Sequence, residues 1–168
     1  MKSFFLLFAA ALLIWSCSSS SDKPAENPSP EAAAQNAPAL PSLPYETVQY
    51  LWENCDYVDY VFYQLPISMS MSDQNSIRYS ISHIAQDAAT LNPNCPAIGR
   101  IFFQEKGENI LEADIHFGEG CRYFVFLKEG KPAYANLITD VGVQYLNERI
   151  TQAMQVRRQL EQQQQGGQ

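Results

Sequence analysis

Between Pro44 and Met154 the apolar positions recur with two different periods, and each change of period marks a new element. Tyr45, Val48, Leu51 and Trp52 return every three or four residues behind Pro44, whose fixed φ suits a first helical turn, so the spacing predicts a short helix. Residues 56–65 read as a strand, interrupted by Pro66 before a second extended run over 67–71. Ser72 or Asp73 supplies an N-cap for a second helix, whose stripe of Ile77, Ile81, Ile84, Ala85 and Ala88 continues until Asn92-Pro93-Asn94 stops it.

The next stretch alternates with period two. Residues 98–105, 109–117 and 121–128, with a weaker run over 133–137, predict a β-meander joined by turns at Lys106-Gly107, Gly118-Glu119-Gly120 and Glu129-Gly130-Lys131. Pro132 marks the last strand as an edge, because proline cannot donate to a central ladder. Thr139 or Asp140 caps a final helix carrying Val143, Leu146, Ile150, Ala153 and Met154. This order predicts one α+β domain over residues 44–160, an antiparallel β-meander of about four to five strands with helices packed on one face. Residues 161–168, with Gln162 to Gln165 and then Gly166-Gly167-Gln168, read as a frayed tail.

Register decides which side chains share a face. With three-residue turn Gly118-Glu119-Gly120, Leu111, Ala113, Ile115 and Phe117 join Ile101, Phe103, Tyr123, Val125 and Leu127 as the core side. The other side then carries Glu112, Asp114 and His116 with Arg100, Phe102, Arg122, Phe124 and Phe126, a candidate binding face that mixes charge with large aromatics. Two carboxylates and an imidazole at strand spacing are the nearest approach to a metal or acid/base set. Same-face neighbours on a strand stand about 7 Å apart, so convergence on one ion needs help from another strand. The plainer reading pairs Arg100 and Arg122 with Asp114 and Glu112 across strands.

The chain begins with Lys2, an apolar run from Phe4 to Trp15, and then Ser16-Cys17 followed by four serines. A positive start and roughly a dozen apolar residues describe a secretory signal, too short to span a bilayer, which takes about 20. Ile14-Trp15-Ser16-Cys17 resembles the lipobox of bacterial lipoproteins, and the serine run with Asp22 is similar to the start of lipoproteins of the Bacteroidota. The resemblance implies removal of residues 1–16, acylation of Cys17, and a lipid anchor that holds the mature protein on a membrane of the bacterial cell envelope, in the periplasm or on the cell surface. A diacylglycerol and a further chain, at about 0.8 kcal/mol per buried CH2, make such attachment nearly permanent.

Residues 17–43 hold five prolines, no aromatic residue and a run of three alanines, a composition that cannot bury enough surface to order itself and reads as a tether. The formal charge of −7 grows by one negative unit when Lys2 leaves, which argues against nucleic acid as a partner.

Export places Cys55, Cys95 and Cys121 in an oxidising compartment. Cys95 precedes the first meander strand and Cys121 opens the third, at the same end of the sheet, so Cys95–Cys121 is the expected disulfide and Cys55 the remaining thiol. A catalytic cysteine would need His83 or His116 as base, and His83, beside the apolar helix stripe, is expected to face solvent. Met69-Ser70-Met71 offers soft sulfur ligands or simple strand packing. No phosphate loop, nucleophile elbow, HExxH or paired CxxC occurs, and no cofactor or metal is implied. The sequence therefore supports a tethered binding or structural module, its partner another envelope protein or a small ligand meeting the mixed sheet face or tyrosines such as Tyr57 and Tyr60. The alternative is a metal-handling or enzymatic domain built on Glu112, Asp114 and His116.

Overall fold

The computed structural model describes residues 40–65 and 67–166; Cys17, the tether before Leu40 and Pro66 lie outside the described residues. Helix α1 (Tyr45–Asn54) is followed by strands β1 (Tyr57–Phe62) and β2 (Ser68–Met71), helix α2 (Gln74–Ile81) and strand β3 (Ile84–Ala88). Strands β4 (Gly99–Glu105), β5 (Glu108–Gly118), β6 (Cys121–Lys128) and β7 (Lys131–Ile138) form the meander, and helix α3 (Asp140–Gly166) closes the chain. All seven strands belong to one antiparallel sheet in the order β2-β1-β4-β5-β6-β7-β3. The fold is α+β, with more strands than the four to five expected.

The caps follow local chemistry. Asp73, rather than Ser72, accepts from Ser76 N at 3.0 Å to start α2, and Thr139 Oγ1 accepts from Gly142 N at 3.2 Å to start α3. Lys106-Gly107 and Glu129-Gly130 each have positive φ at both positions, as two-residue hairpins that match strand twist require.

Three sequence expectations change. The stripe after Ile81 is not helical: a turn at Ser82-His83 redirects the chain and residues 84–88 become β3, paired with β7 through Ile84↔Ile138 and Ala88↔Asn136. Alanine and glutamine suit a helix, so sheet pairing overrides propensity here. Strand β7 is consequently interior, and Pro132 is accommodated because β3 pairs only with the far end of that strand, at Asn136 and Ile138. Helix α3 also continues through the glutamines expected to fray.

The main core lies between one sheet face and the helices. It joins Val58, Tyr60, Phe62, Ile101, Phe103, Ala113, Ile115, Phe124 and Phe126 with Leu51 of α1, Ile77 and Ile81 of α2 and Leu146 of α3. Cys55 belongs to this core as a buried free thiol, and burial pushes its pKa up.

A second, smaller cluster of Ala89, Cys95, Cys121, Tyr123, Val125 and Ala135 occupies the opposite face, with Leu40 and Leu91 against it. It exists because the segment from β3, at one edge, to β4, on the far side of β5, must cross the sheet. The entering chain is bound into the sheet as well. Ala135 N donates to Pro41 O at 2.9 Å, Leu43 N to Asn136 Oδ1 at 2.8 Å, and Asn136 Nδ2 to Ala85 O at 2.8 Å. Residues 41–43 thus take up hydrogen-bonding groups that the irregular β3–β7 pairing leaves over.

Candidate functional site

Gly118 pairs with Cys121, so the β5–β6 turn has two residues, Glu119-Gly120, instead of the three expected. That single-residue difference turns β6 over. Phe124 and Phe126 stand opposite Ile115 and Ala113 in the helix-covered core, while Tyr123, Val125 and Leu127 lie with His116, Asp114 and Glu112 on the other face. Arg122 faces Phe117 and is exposed on the helix side. The candidate face therefore keeps Arg100, Phe102, Glu112, Asp114 and His116 and loses Arg122, Phe124 and Phe126. Tyr60, expected at the surface, is buried, whereas Tyr57 shares the open face with Asp59 and Val61, opposite Gln104, Phe102 and Arg100.

One arginine serves both carboxylates. Arg100 Nε donates to Asp114 Oδ1 at 2.8 Å and Nη1 to Glu112 Oε2 at 3.2 Å, while Tyr63 OH donates to the same Asp114 oxygen at 3.3 Å. The Asp114 carboxylate raises the Arg100 pKa, and partial burial followed by Asp114 raises that of Tyr63. With all three charged groups partly exposed, each ion pair contributes on the order of 0.2–1 kcal/mol. Their chief effect is to fix the polar centre of the face in one geometry.

His116 turns away from this centre. Its Nδ1–H donates to Cys95 O at 2.7 Å and its ring stacks on Tyr123 at 4.7 Å, leaving Nε2 as the second ring nitrogen. Tyr123 OH in turn donates to Asn92 O at 3.2 Å and accepts from Asn92 N at 3.3 Å. The Cys95–Cys121 disulfide pins the crossing segment, with Cα atoms 5.9 Å apart, as the shared end of the sheet predicts. Closing a loop of 26 residues contributes about 3.5 kcal/mol in the chain-entropy treatment. Beneath the crossing lies a groove of about 410 Å³ lined by Leu91, Asn92, Pro93, Cys95, Asp114, His116, Tyr123, Val125 and Pro132.

Among the described residues no three His, Cys, Asp or Glu side chains are grouped to hold a metal ion. Glu112 and Asp114 are committed to Arg100 and His116 to a carbonyl. Met69 lies under Tyr145, whose hydroxyl reaches its sulfur at 3.7 Å.

A polar cluster that the sequence reading missed lies inside the main core. Tyr60 OH and Ser80 Oγ are 2.5 Å apart, and His83 Nδ1 is 3.5 Å from Tyr60 OH. His83 is fully buried, not solvent-facing: Tyr79 and Tyr145 pack on its ring at 4.8 and 4.9 Å, and Nε2 has no partner among the described residues. Burial pushes its pKa down to about 4. Serine, tyrosine and histidine in contact invite a catalytic reading, but Tyr60, Ser80 and His83 are all sealed from solvent, so no substrate atom reaches them. The signal that could have located His83 is Gly142. A Cβ there would stand 2.7 Å from His83 Cβ and from Ile138 Cγ2, so α3 packs directly on this turn.

Among the described residues no helix is long and apolar enough to cross a membrane. No protein-family model matches the chain, and neither the curated proteins nor the solved structures include a match to it.

Proposed function

We propose that the protein is a lipid-anchored component of the bacterial cell envelope, attached through acylated Cys17. Its single α+β domain acts as a binding module. The lipobox-like Ile14-Trp15-Ser16-Cys17 behind a short apolar run carries the anchoring reading. The disulfide agrees with an oxidising compartment.

The binding reading rests on the sheet face opposite the helices. There Arg100, with its two carboxylates, and Phe102 adjoin a groove of about 410 Å³ beside His116, within the size range of small-ligand sites. The disulfide and the Tyr123–Asn92 pair hold that groove open in advance, which lowers the ordering cost of binding. A small ligand, or a side chain of another envelope protein, is the occupant this shape suits.

Anchoring is tested by expressing wild type and Cys17→Ala with labelled palmitate. Wild type should incorporate label and shift to the membrane fraction, and the variant should do neither. Undiminished label in Cys17→Ala would remove the basis of the proposal.

A further inference from the structure

A second groove, of about 460 Å³, lies away from the sheet face just described, between α1 and the edge strand β3. Tyr45, Val48 and Trp52 line it from one side of α1, and Ser42, Ser82 and Gln86 from the opposing segments. Two features separate it from ordinary surface. Tyr45 is 67% and Trp52 42% exposed, although burying aromatics of that size is normally favourable. Among the described residues the side chains of Ser42, Tyr45, Trp52 and Gln86 also make no hydrogen bond, while Asn136 beside them is bonded through both its oxygen and its nitrogen.

The lining contains no charged side chain and the Arg78 guanidinium stands outside it on the Trp52 ring, so an ionic ligand seated in the groove would lose water without a hydrogen-bonded counter-charge. A purely apolar occupant would cover the free hydroxyl, indole N–H and amide groups without pairing them, which is costly. A neutral sugar satisfies both halves of the chemistry. The C–H faces of a pyranose are apolar and weakly positive, complementary to the negative face of an indole or phenol ring, and its hydroxyls both donate and accept. Tyr45 and Trp52 are seven residues apart on α1, about 10.5 Å along the helix axis, which is the reach of a disaccharide. Arg78 packs on the Trp52 ring at 5.3 Å and holds the indole in place.

We infer that the groove between α1 and β3 binds a neutral oligosaccharide of two to three sugars, stacked on Tyr45 and Trp52 and hydrogen-bonded by Gln86 and Ser42. This site is independent of the sheet face and of its occupant.

Maturation at Cys17 removes Trp15 and leaves Trp52 as the one tryptophan of the chain, so its fluorescence reports directly on the groove. Mature protein, purified from membranes in a sugar-free zwitterionic detergent, is titrated separately with cellotriose, N,N′,N″-triacetylchitotriose and maltotriose. At least one should shift Trp52 emission saturably. Tyr45→Ala and Gln86→Ala should each weaken that binding about tenfold, and Tyr50→Ala, on another side of α1, should change it less than about twofold. Tyr45 and Gln86 are exposed, so both variants are expected to keep the wild-type unfolding midpoint. Failure of all three sugars to bind at millimolar concentration, or binding that Tyr45→Ala and Gln86→Ala leave intact, would overturn the inference.

Discussion

An unfolded chain takes up a proton at His83 near pH 6.5, whereas the folded chain resists until about pH 4. The ring is enclosed by Tyr79, Tyr145 and Gly142, and the groups that meet it are Tyr60 from β1, Tyr79 from α2 and Tyr145 from α3, with no carboxylate among them to favour the imidazolium. The Arg149 guanidinium, which lies over Tyr145 at 5.1 Å, has the wrong sign to help. The folded state therefore binds fewer protons than the unfolded state between pH 6.5 and 4, so this contribution is present above that window and is lost as pH falls through it. A displacement from 6.5 to about 4 corresponds to about 3 kcal/mol in total, most of it lost between pH 7 and 4.5. Urea unfolding followed by circular dichroism at those two pH values, on wild type and His83→Gln, measures it. Wild type should lose about 2 kcal/mol more than the variant, and the wild-type slope should approach one proton, about 1.4 kcal/mol per pH unit, near pH 5. Equal losses in the two proteins would refute the argument, because carboxylate titration is common to both.

Gly142→Ala tests the packing of α3 on the same turn. Alanine usually stabilises a helix interior by about 1 kcal/mol over glycine, but a Cβ 2.7 Å from His83 Cβ and Ile138 Cγ2 should make this variant about 1–3 kcal/mol less stable, and a rise in the unfolding midpoint would show that the contact yields. Asn136→Leu removes the acceptor for Leu43 N and the donor to Ala85 O, leaving two backbone groups unpaired. It should cost about 2–4 kcal/mol and speed amide exchange at Leu43; exchange unchanged at that amide would mean the side chain does not hold the entering chain.

The meander was legible because its signals are local. Gly107 and Gly130 stand where two-residue turns need positive φ, and alternating side chains between them leave few choices of strand boundary. Disulfide partners followed from strand order alone, since Cys95 and Cys121 fall at one end of the sheet under either register of β6. The strands that flank the meander were harder to read. β3 is five residues of helix-compatible sequence whose state is decided by a partner, β7, that lies almost fifty residues later.

The candidate site depended on parity, which one residue can invert. Counting Gly118 as turn rather than strand carries Phe124 and Phe126 to the wrong face and brings Arg122 onto the face of Glu112, although Leu111, Ala113, Ile115 and Phe117 keep the side expected of them. Phe124-Val125-Phe126 is apolar at each position, so the hydrophobic pattern of β6 fits both registers. Both fits exist for a physical reason: the crossing segment buries the second face as well, through Tyr123 and Val125, so β6 has no polar side with which to declare its orientation. The same crossing makes the groove beside His116. A strand buried on both faces was therefore the sequence's indirect sign that something covers the sheet there, and the disulfide, read correctly from the sequence, marks where that cover is fastened.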